Sequence, residues 1–274
     1  IFSEGLFKMS QFTFLNNKIV LVTGVSSSDE RFKNIGQALA ELLVENNARV
    51  IAISRNIENC EKAIKHLKDK DFPIVAKQCD ISKHSDVESL FNWVEETYGT
   101  LNYLINNAGT EGTLEPIDQL SLDNIDSVID TNGKGTLYCL KEGINLMKKA
   151  LSKDSKLDCS IINIGSIAAE IGMPNTSVYA YSKAGIASIT RVVTIELNNY
   201  ALETNTSPIR VNAVLPGVIR TPMHGRFLDD NDLDGIPPSE STSPEELAKC
   251  IITRLNEKFL MGSITIIDGG YTAQ

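Results

Sequence analysis

The amino-acid sequence predicts a single α/β domain built on a doubly wound parallel sheet, and three observations carry that expectation. Short β-branched runs recur along the chain, helical periodicity fills the intervals between them, and the runs themselves are nearly all apolar, as strands covered on both faces must be. The strand candidates are, in order, residues 18–24 (KIVLVTG), 48–54 (ARVIAIS), 73–80 (PIVAKQCD), 101–109 (LNYLINNAG), 159–166 (CSIINIGS), 209–217 (IRVNAVLPG) and 263–270 (SITIIDGG). Helical spacing marks residues 35–47, 86–98, 122–150 and 178–199. Right-handed crossovers repeated in this way give a Rossmann-like sheet of about seven strands in the order 3-2-1-4-5-6-7, with helices on both faces and the ligand crevice at the carboxyl ends of the strands.

A chain of 274 residues fits one such domain, and 42% apolar with 22% charged residues supports a sizeable core. Residues 1–16 read as an N-terminal extension, with Met9 a candidate start, and 17–274 as the domain. A net charge of -9 disfavours nucleic acid and anionic membrane surfaces, and no apolar run is long enough to span a bilayer. The N-terminal stretch lacks the pattern of a secretory signal. Cys60, Cys79, Cys139, Cys159 and Cys250 contain no Cys-x-x-Cys pair, which fits a reducing cytoplasm better than a disulfide framework. His66, His84 and His224 are scattered, so no metal site is expected. Residues from about 222 to 243, rich in Asp, Gly, Pro and Ser, read as a flexible substrate lid.

After the first strand, Gly24 and Gly36 bracket a polar loop that opens onto a helix. Glycines let backbone amides approach a pyrophosphate, and the helix N-terminus adds partial positive charge. At the end of the second strand an acidic residue would favour NAD, but Ser54 and Arg55 stand there, and a guanidinium suits the 2′-phosphate of NADP(H). Further along, Tyr179 and Lys183 are four residues apart, so on a helix they share a face one turn from each other. A free tyrosine has a pKa of ~10, and bringing it near neutrality takes ~4 kcal/mol favouring the phenolate. A neighbouring ammonium and a positive nicotinamide ring are expected to supply it.

These motifs resemble the short-chain dehydrogenase/reductase family over most of the chain, from about residue 17 to 272. Thr23, Gly24 and Gly36 match the family's glycine motif, although the loop is about six residues longer than the family pattern and Asn34 replaces its middle glycine, a position where tolerance of left-handed backbone angles is useful. The resemblance implies cofactor contacts for Ser26, Ser27, Asn34 and Ile35, with Ser28 to Lys33 an elongated insertion and Lys33 a second basic site for the 2′-phosphate. It also implies that Asp80 contacts adenine, that Ile81 lies along the ring, and that Asn107, Ala108 and Gly109 of the NNAG stretch lie beside the ribose. Pro216, Gly217, Val218, Ile219 and Thr221 would face the nicotinamide. The same resemblance assigns Ser166 to hold the substrate oxygen, Asn132 to kink its helix and serve a proton relay, and Lys183 to lower the Tyr179 pKa and hold the nicotinamide ribose.

The expected activity is therefore NADP(H)-dependent hydride transfer between nicotinamide and a carbonyl or secondary alcohol, with a 3-oxoacyl thioester among the candidate substrates. Alternatives are a sensor that binds NADP(H) without turnover, an NAD-dependent alcohol or sugar dehydrogenase, and an epimerase or dehydratase that recycles its cofactor. Thr176, seven positions before Lys183, disfavours the enoyl-reductase spacing. Substrate is expected to touch Ile167 to Met173, Thr110 to Thr113 and the lid from Met223, including Phe227 and Leu228, with no charged anchor among them. Tyr181 is expected in packing or at the rim, and the long helices suggest a homodimer or homotetramer.

Overall fold

A computed structural model describes residues 12–27, 33–221 and 241–273. The expectations for Met9, Ser28, His224, Phe227, Leu228 and most of the lid lie outside them. Nine strands are described: β1 (Ile19–Thr23), β2 (Arg49–Ser54), β3 (Ile74–Gln78), β4 (Tyr103–Asn106), β5 (Ser160–Ile164), β6 (Arg210–Pro216), β7 (Val218–Ile219), β8 (Ser241–Thr242) and β9 (Ile264–Ile267). Seven of them form one sheet in the order β3-β2-β1-β4-β5-β6-β9, every neighbouring pair parallel. The expected order is therefore observed, with β9 as its seventh member, while β7 and β8 pair separately.

Alternation along the strands divides the core into two layers. Val20, Val22, Val50 and Ala52 pack on one side with α1 (Ile35–Glu45), α2 (Ile57–Lys68) and α7 (Pro244–Asn256). Ile19, Leu21, Ile51 and Ile53 pack on the other with α3 (His84–Tyr98), α5 (Gly135–Lys153) and α6 (Ser177–Thr204). Phe12 and Leu15, assigned by sequence to an extension, belong to the first of these cores, and the Phe12 amide donates to Asn46 Oδ1 at 3.0 Å.

Two helices were not read from the sequence. In α2 the buried stripe is Cys60, Ala63, Ile64 and Leu67, half of it weakly apolar, and Asn56 caps its start. In α7, Ser243 caps the helix through the Glu246 amide and Pro244 opens it, the pattern a helix start favours. The single helix expected over 122–150 is instead α4 (Leu122–Val128), a π-helical segment at Ile129–Lys134, and α5. The break centres on Asn132, whose side chain is fully buried and bonded outside its own helix.

Beneath the sheet, at the end away from the crevice, Asp158 accepts hydrogen bonds from Tyr103 (2.7 Å), Arg210 (2.7 Å) and Lys258 (2.6 Å). Arg210 is itself buried and donates a second bond to the Leu255 carbonyl at 2.6 Å. This joins β4, β6 and the end of α7 through one carboxylate.

Candidate active site

The strand order reverses between β1 and β4, and their carboxyl ends are stitched together there. The Thr23 hydroxyl accepts from the amides of Asn107 (2.9 Å) and Ala108 (2.8 Å), and Asn107 Nδ2 donates back to the Thr23 carbonyl at 2.8 Å. Gly24 turns with a φ of 77°, where a Cβ would lie 2.8 Å from Ala108 Cα. Gly36, in the first turn of α1, brings the helix so close that a Cβ would stand 2.4 Å from the Gly24 carbonyl oxygen. The glycines thus press the α1 N-terminus against the end of β1, a helix start whose amides and dipole suit an anion.

Asn34 does not use a left-handed backbone. Its φ of -88° and ψ of 167° are extended, which corrects the expectation drawn from the missing glycine. It caps α1 instead: Oδ1 accepts from the Gln37 amide at 2.8 Å, while Nδ2 donates to the Ser26 carbonyl at 2.7 Å. Ser27 is buried, with its amide donating to the Asn59 carbonyl at 3.0 Å. Lys33 forms ion pairs with Glu41 (2.6 Å) and Glu245 (3.1 Å). Arg55 is exposed just past β2, beside a buried Ser54. Asp80 accepts from the Ser82 amide and hydroxyl, and Ile81 is buried in the second core, against Gly135.

A cleft of about 150 Å³ opens at the ends of β4, β5 and β6. Ile35, Asn107, Gly109, Ser166, Tyr179, Lys183, Pro216, Gly217, Val218, Ile219 and Thr221 all line it, so it gathers residues spread over the chain. Ser166, at the end of β5, hydrogen-bonds the phenol of Tyr179, and its Oγ also accepts from the Ala168 amide at 3.2 Å. Lys183 is buried one turn along α6 from Tyr179; its Nζ donates to the Ile164 carbonyl at 2.9 Å and lies 5.7 Å from the Tyr179 ring centroid. A Cβ on Gly109 would be 3.2 Å from both Lys183 Nζ and Asn132 Oδ1, so a side chain there would crowd both groups. Asn132 stands behind the cleft: its amide clamps both backbone polar atoms of Thr110 at 2.8 Å and donates to Ser182 Oγ at 3.0 Å. Its carbonyl accepts from Thr136 Oγ1 at 2.7 Å.

Among the protein's own groups, burial moves Tyr179 and Lys183 in opposite directions. Burial is the largest influence and, with the nearby Glu111 charge, pushes the phenol up to about 12 against the opposing Ser166 hydrogen bond. Burial likewise brings the Lys183 ammonium down to about 8, with Glu111 working against it. The lysine spends its hydrogen bond on a carbonyl, not on the phenol.

The expectation of no charged anchor is also corrected: Glu111, within the Thr110 to Thr113 loop, lines the cleft. Tyr271, just past the last strand candidate, lines it too, as does Met173. Tyr181 is 70% exposed and is not among the residues that line the cleft. Among the described residues no three or more His, Cys, Asp or Glu side chains are placed to hold a metal, and no helix is long and apolar enough to cross a membrane.

A family model described as short chain dehydrogenase matches residues 18–232. A 2,5-dichloro-2,5-cyclohexadiene-1,4-diol dehydrogenase of Sphingobium indicum is 31% identical, over 94% of this chain and 98% of that protein. Carbonyl reductase family member 4 of Xenopus laevis is 30% identical, over 87% of this chain and 93% of its own length. Among solved structures, a 3-ketoacyl-(acyl-carrier-protein) reductase from Brucella melitensis complexed with NADH superposes with a TM-score of 0.81 at 25% identity, covering 93% of this chain and 98% of that one.

Proposed function

The chain belongs to the short-chain dehydrogenase family, oxidoreductases of alcohols and carbonyls that bind a nicotinamide cofactor, and from that premise we propose that it transfers hydride between NADP(H) and a carbonyl or secondary alcohol, with Tyr179 as acid and base. The observation that carries the reading is the convergence of Ser166, Tyr179 and Lys183 on one cleft whose floor is Gly109. The residues fit a dinucleotide: the α1 N-terminus and Gly24 would take the pyrophosphate, and the wall from Pro216 to Thr221 the nicotinamide. When bound, the nicotinamide gives or accepts hydride and, oxidised, sets a positive charge beside the phenol.

In reduction, Tyr179 Oη delivers a proton to the carbonyl oxygen. A phenol held near 12 is fully protonated at neutral pH, so the acid form is always available. Ser166 Oγ holds the same oxygen, and loss of a donor so aimed typically costs ~2.7 to 4 kcal/mol in the transition state. In oxidation the phenolate is required, so positive charge at the cleft has to offset burial. Lys183 supplies part of it from inside the wall, and Asn132 positions Thr110 and Ser182 around it.

NADP(H) is favoured by Arg55 and Ser54 at the end of β2, with NAD(H) the lesser choice. Lys33 is already shared between Glu41 and Glu245, so the 2′-phosphate preference rests mainly on Arg55. Exposed Val192, Ile195 and Leu202 on α6, with Leu137 on α5, favour a homodimer or homotetramer, and the free cysteines favour a reducing cytoplasm.

The test is consumption of NADPH and NADH across ketones, 3-oxoacyl esters and sugar lactones. NADPH is expected to be used with at least one class, Tyr179→Phe to abolish turnover while binding NADPH, and Arg55→Ala to weaken NADPH about tenfold with NADH unaffected. Tight NADPH binding with no turnover would leave the sensor reading, and full activity in Tyr179→Phe would overturn the mechanism.

A further inference from the structure

The mechanism above makes no use of Glu111, yet this carboxylate faces the same cleft as Ser166, Tyr179 and Lys183. Its position is built from both sides. Before it, Thr110 is pinned by Asn132, which accepts from its amide and donates to its carbonyl, each at 2.8 Å. After it, the Thr113 amide donates to Asn124 Oδ1 at 2.8 Å. Between these anchors Gly112 bends at a φ of 69°, and a Cβ there would come within 2.5 Å of Asn124 Oδ1 and Val128 Cγ2. Only glycine fits, so the bend that presents Glu111 is fixed by α4 and the π-helical segment behind it.

Lining the same cleft, the carboxylate makes its charge felt at both Tyr179 and Lys183. Much of the rest of the lining is apolar: Ile167, Met173, Val218 and Ile219. An ionised carboxylate offers about four lone-pair sites, so a bond made within the protein leaves acceptor capacity toward the cleft. In such surroundings a donor group is strongly preferred over an apolar one, and a second anion is repelled.

We propose that Glu111 selects the substrate: it accepts a hydrogen bond from a hydroxyl or ammonium group carried next to the reacting carbon, and it turns away ketones carrying a carboxylate there. This rests on the oxidoreductase reading above. It makes α-hydroxy or α-amino ketones, and the corresponding diols or amino alcohols, the favoured class, and 2-oxo acids the disfavoured one.

The experiment measures kcat/KM for the full chain with its preferred nicotinamide on 2-butanone, 1-hydroxy-2-butanone, 1-dimethylamino-2-propanone and 2-oxobutanoate. Comparison is between the unchanged protein, Glu111→Gln and Glu111→Asp. Glu111→Gln is expected to cut the ratio of donor-bearing to plain ketone roughly tenfold, chiefly through KM, since a bond to a charged acceptor is worth about that much. It is expected to raise the ratio of 2-oxobutanoate to 2-butanone, while Glu111→Asp keeps most of the preference. The hydroxyl and amine arms show which donor is preferred. Ratios unchanged in Glu111→Gln, or an equal loss on all four ketones, overturn the selection role and leave the oxidoreductase reading standing. No turnover of any carbonyl by the unchanged protein overturns both.

Discussion

Burial pulls Tyr179 and Lys183 in opposite directions, the phenol up to about 12 and the ammonium down to about 8. The two directions of the reaction should therefore differ in pH dependence. Carbonyl reduction keeps its protonated phenol throughout and is expected to decline only as Lys183 loses its charge through about pH 8. Alcohol oxidation, which needs the phenolate, is expected to climb from neutrality and to level off as Lys183 loses its charge through about pH 8. Because the Glu111 charge raises both groups, Glu111→Gln should move both profiles to lower pH. Initial rates in each direction between neutrality and moderately alkaline pH check this, and a reduction rate indifferent to pH across that range would contradict it. Much of this chemistry was legible in the sequence. Helical spacing puts Tyr179 and Lys183 on one face, and Ser166 closes an apolar run. Glu111 was not, because a lone acidic residue in a loop reads the same whether it faces solvent or a cleft; its direction is set by Asn132 and Asn124, residues supplied by later elements.

Among the elements, α1 depends most sharply on one missing side chain. A methyl at Gly36 would meet a backbone carbonyl 2.4 Å away, which no rotamer change relieves. Gly36→Ala is expected to destabilise the domain by about 1 to 3 kcal/mol, the usual cost of overpacking, and to weaken nucleotide binding by moving the α1 N-terminus. Thermal unfolding and a fluorescence titration with NADPH measure the two effects, and wild-type values in both would refute the close-packing argument. The strands were readable because a doubly covered sheet demands continuous apolar runs. Two of the helices were harder. The α2 stripe leans on Cys60 and Ala63, which barely stand out from a polar background, whereas α7 carried a readable start in Ser243, Pro244 and Glu246. The π-helical break at Asn132 leaves no mark in the local periodicity, and only the family resemblance pointed to it, since what favours it is a clamp on Thr110, 22 residues away.

For the molecule as a whole, the most exacting electrostatic element lies far from the cleft. Burial alone would raise the Asp158 carboxyl, but hydrogen bonds from Lys258, Tyr103 and Arg210 outweigh it and hold the group at about 2, below its ordinary 3.8. A depressed carboxyl adds stability that is fully present above pH 3.8 and is lost as pH falls through about 2. The contribution is roughly 2 kcal/mol, so acid unfolding is expected to gain a component in that window. Asp158→Asn should remove it and, by leaving Arg210 buried without its carboxylate, cost about 3 kcal/mol or more at neutral pH. Denaturant titrations at pH 7 and pH 3 test both, and equal losses at the two would count against the assignment. The cleft itself carries a different consequence. Its walls run from Ile35 to Tyr271, nearly the first helix to the last turn. No fragment released early from a ribosome contains all of it, so the onset of turnover during synthesis or refolding marks completion of the chain's long-range pairing, and activity becomes a timer for the slowest step of folding.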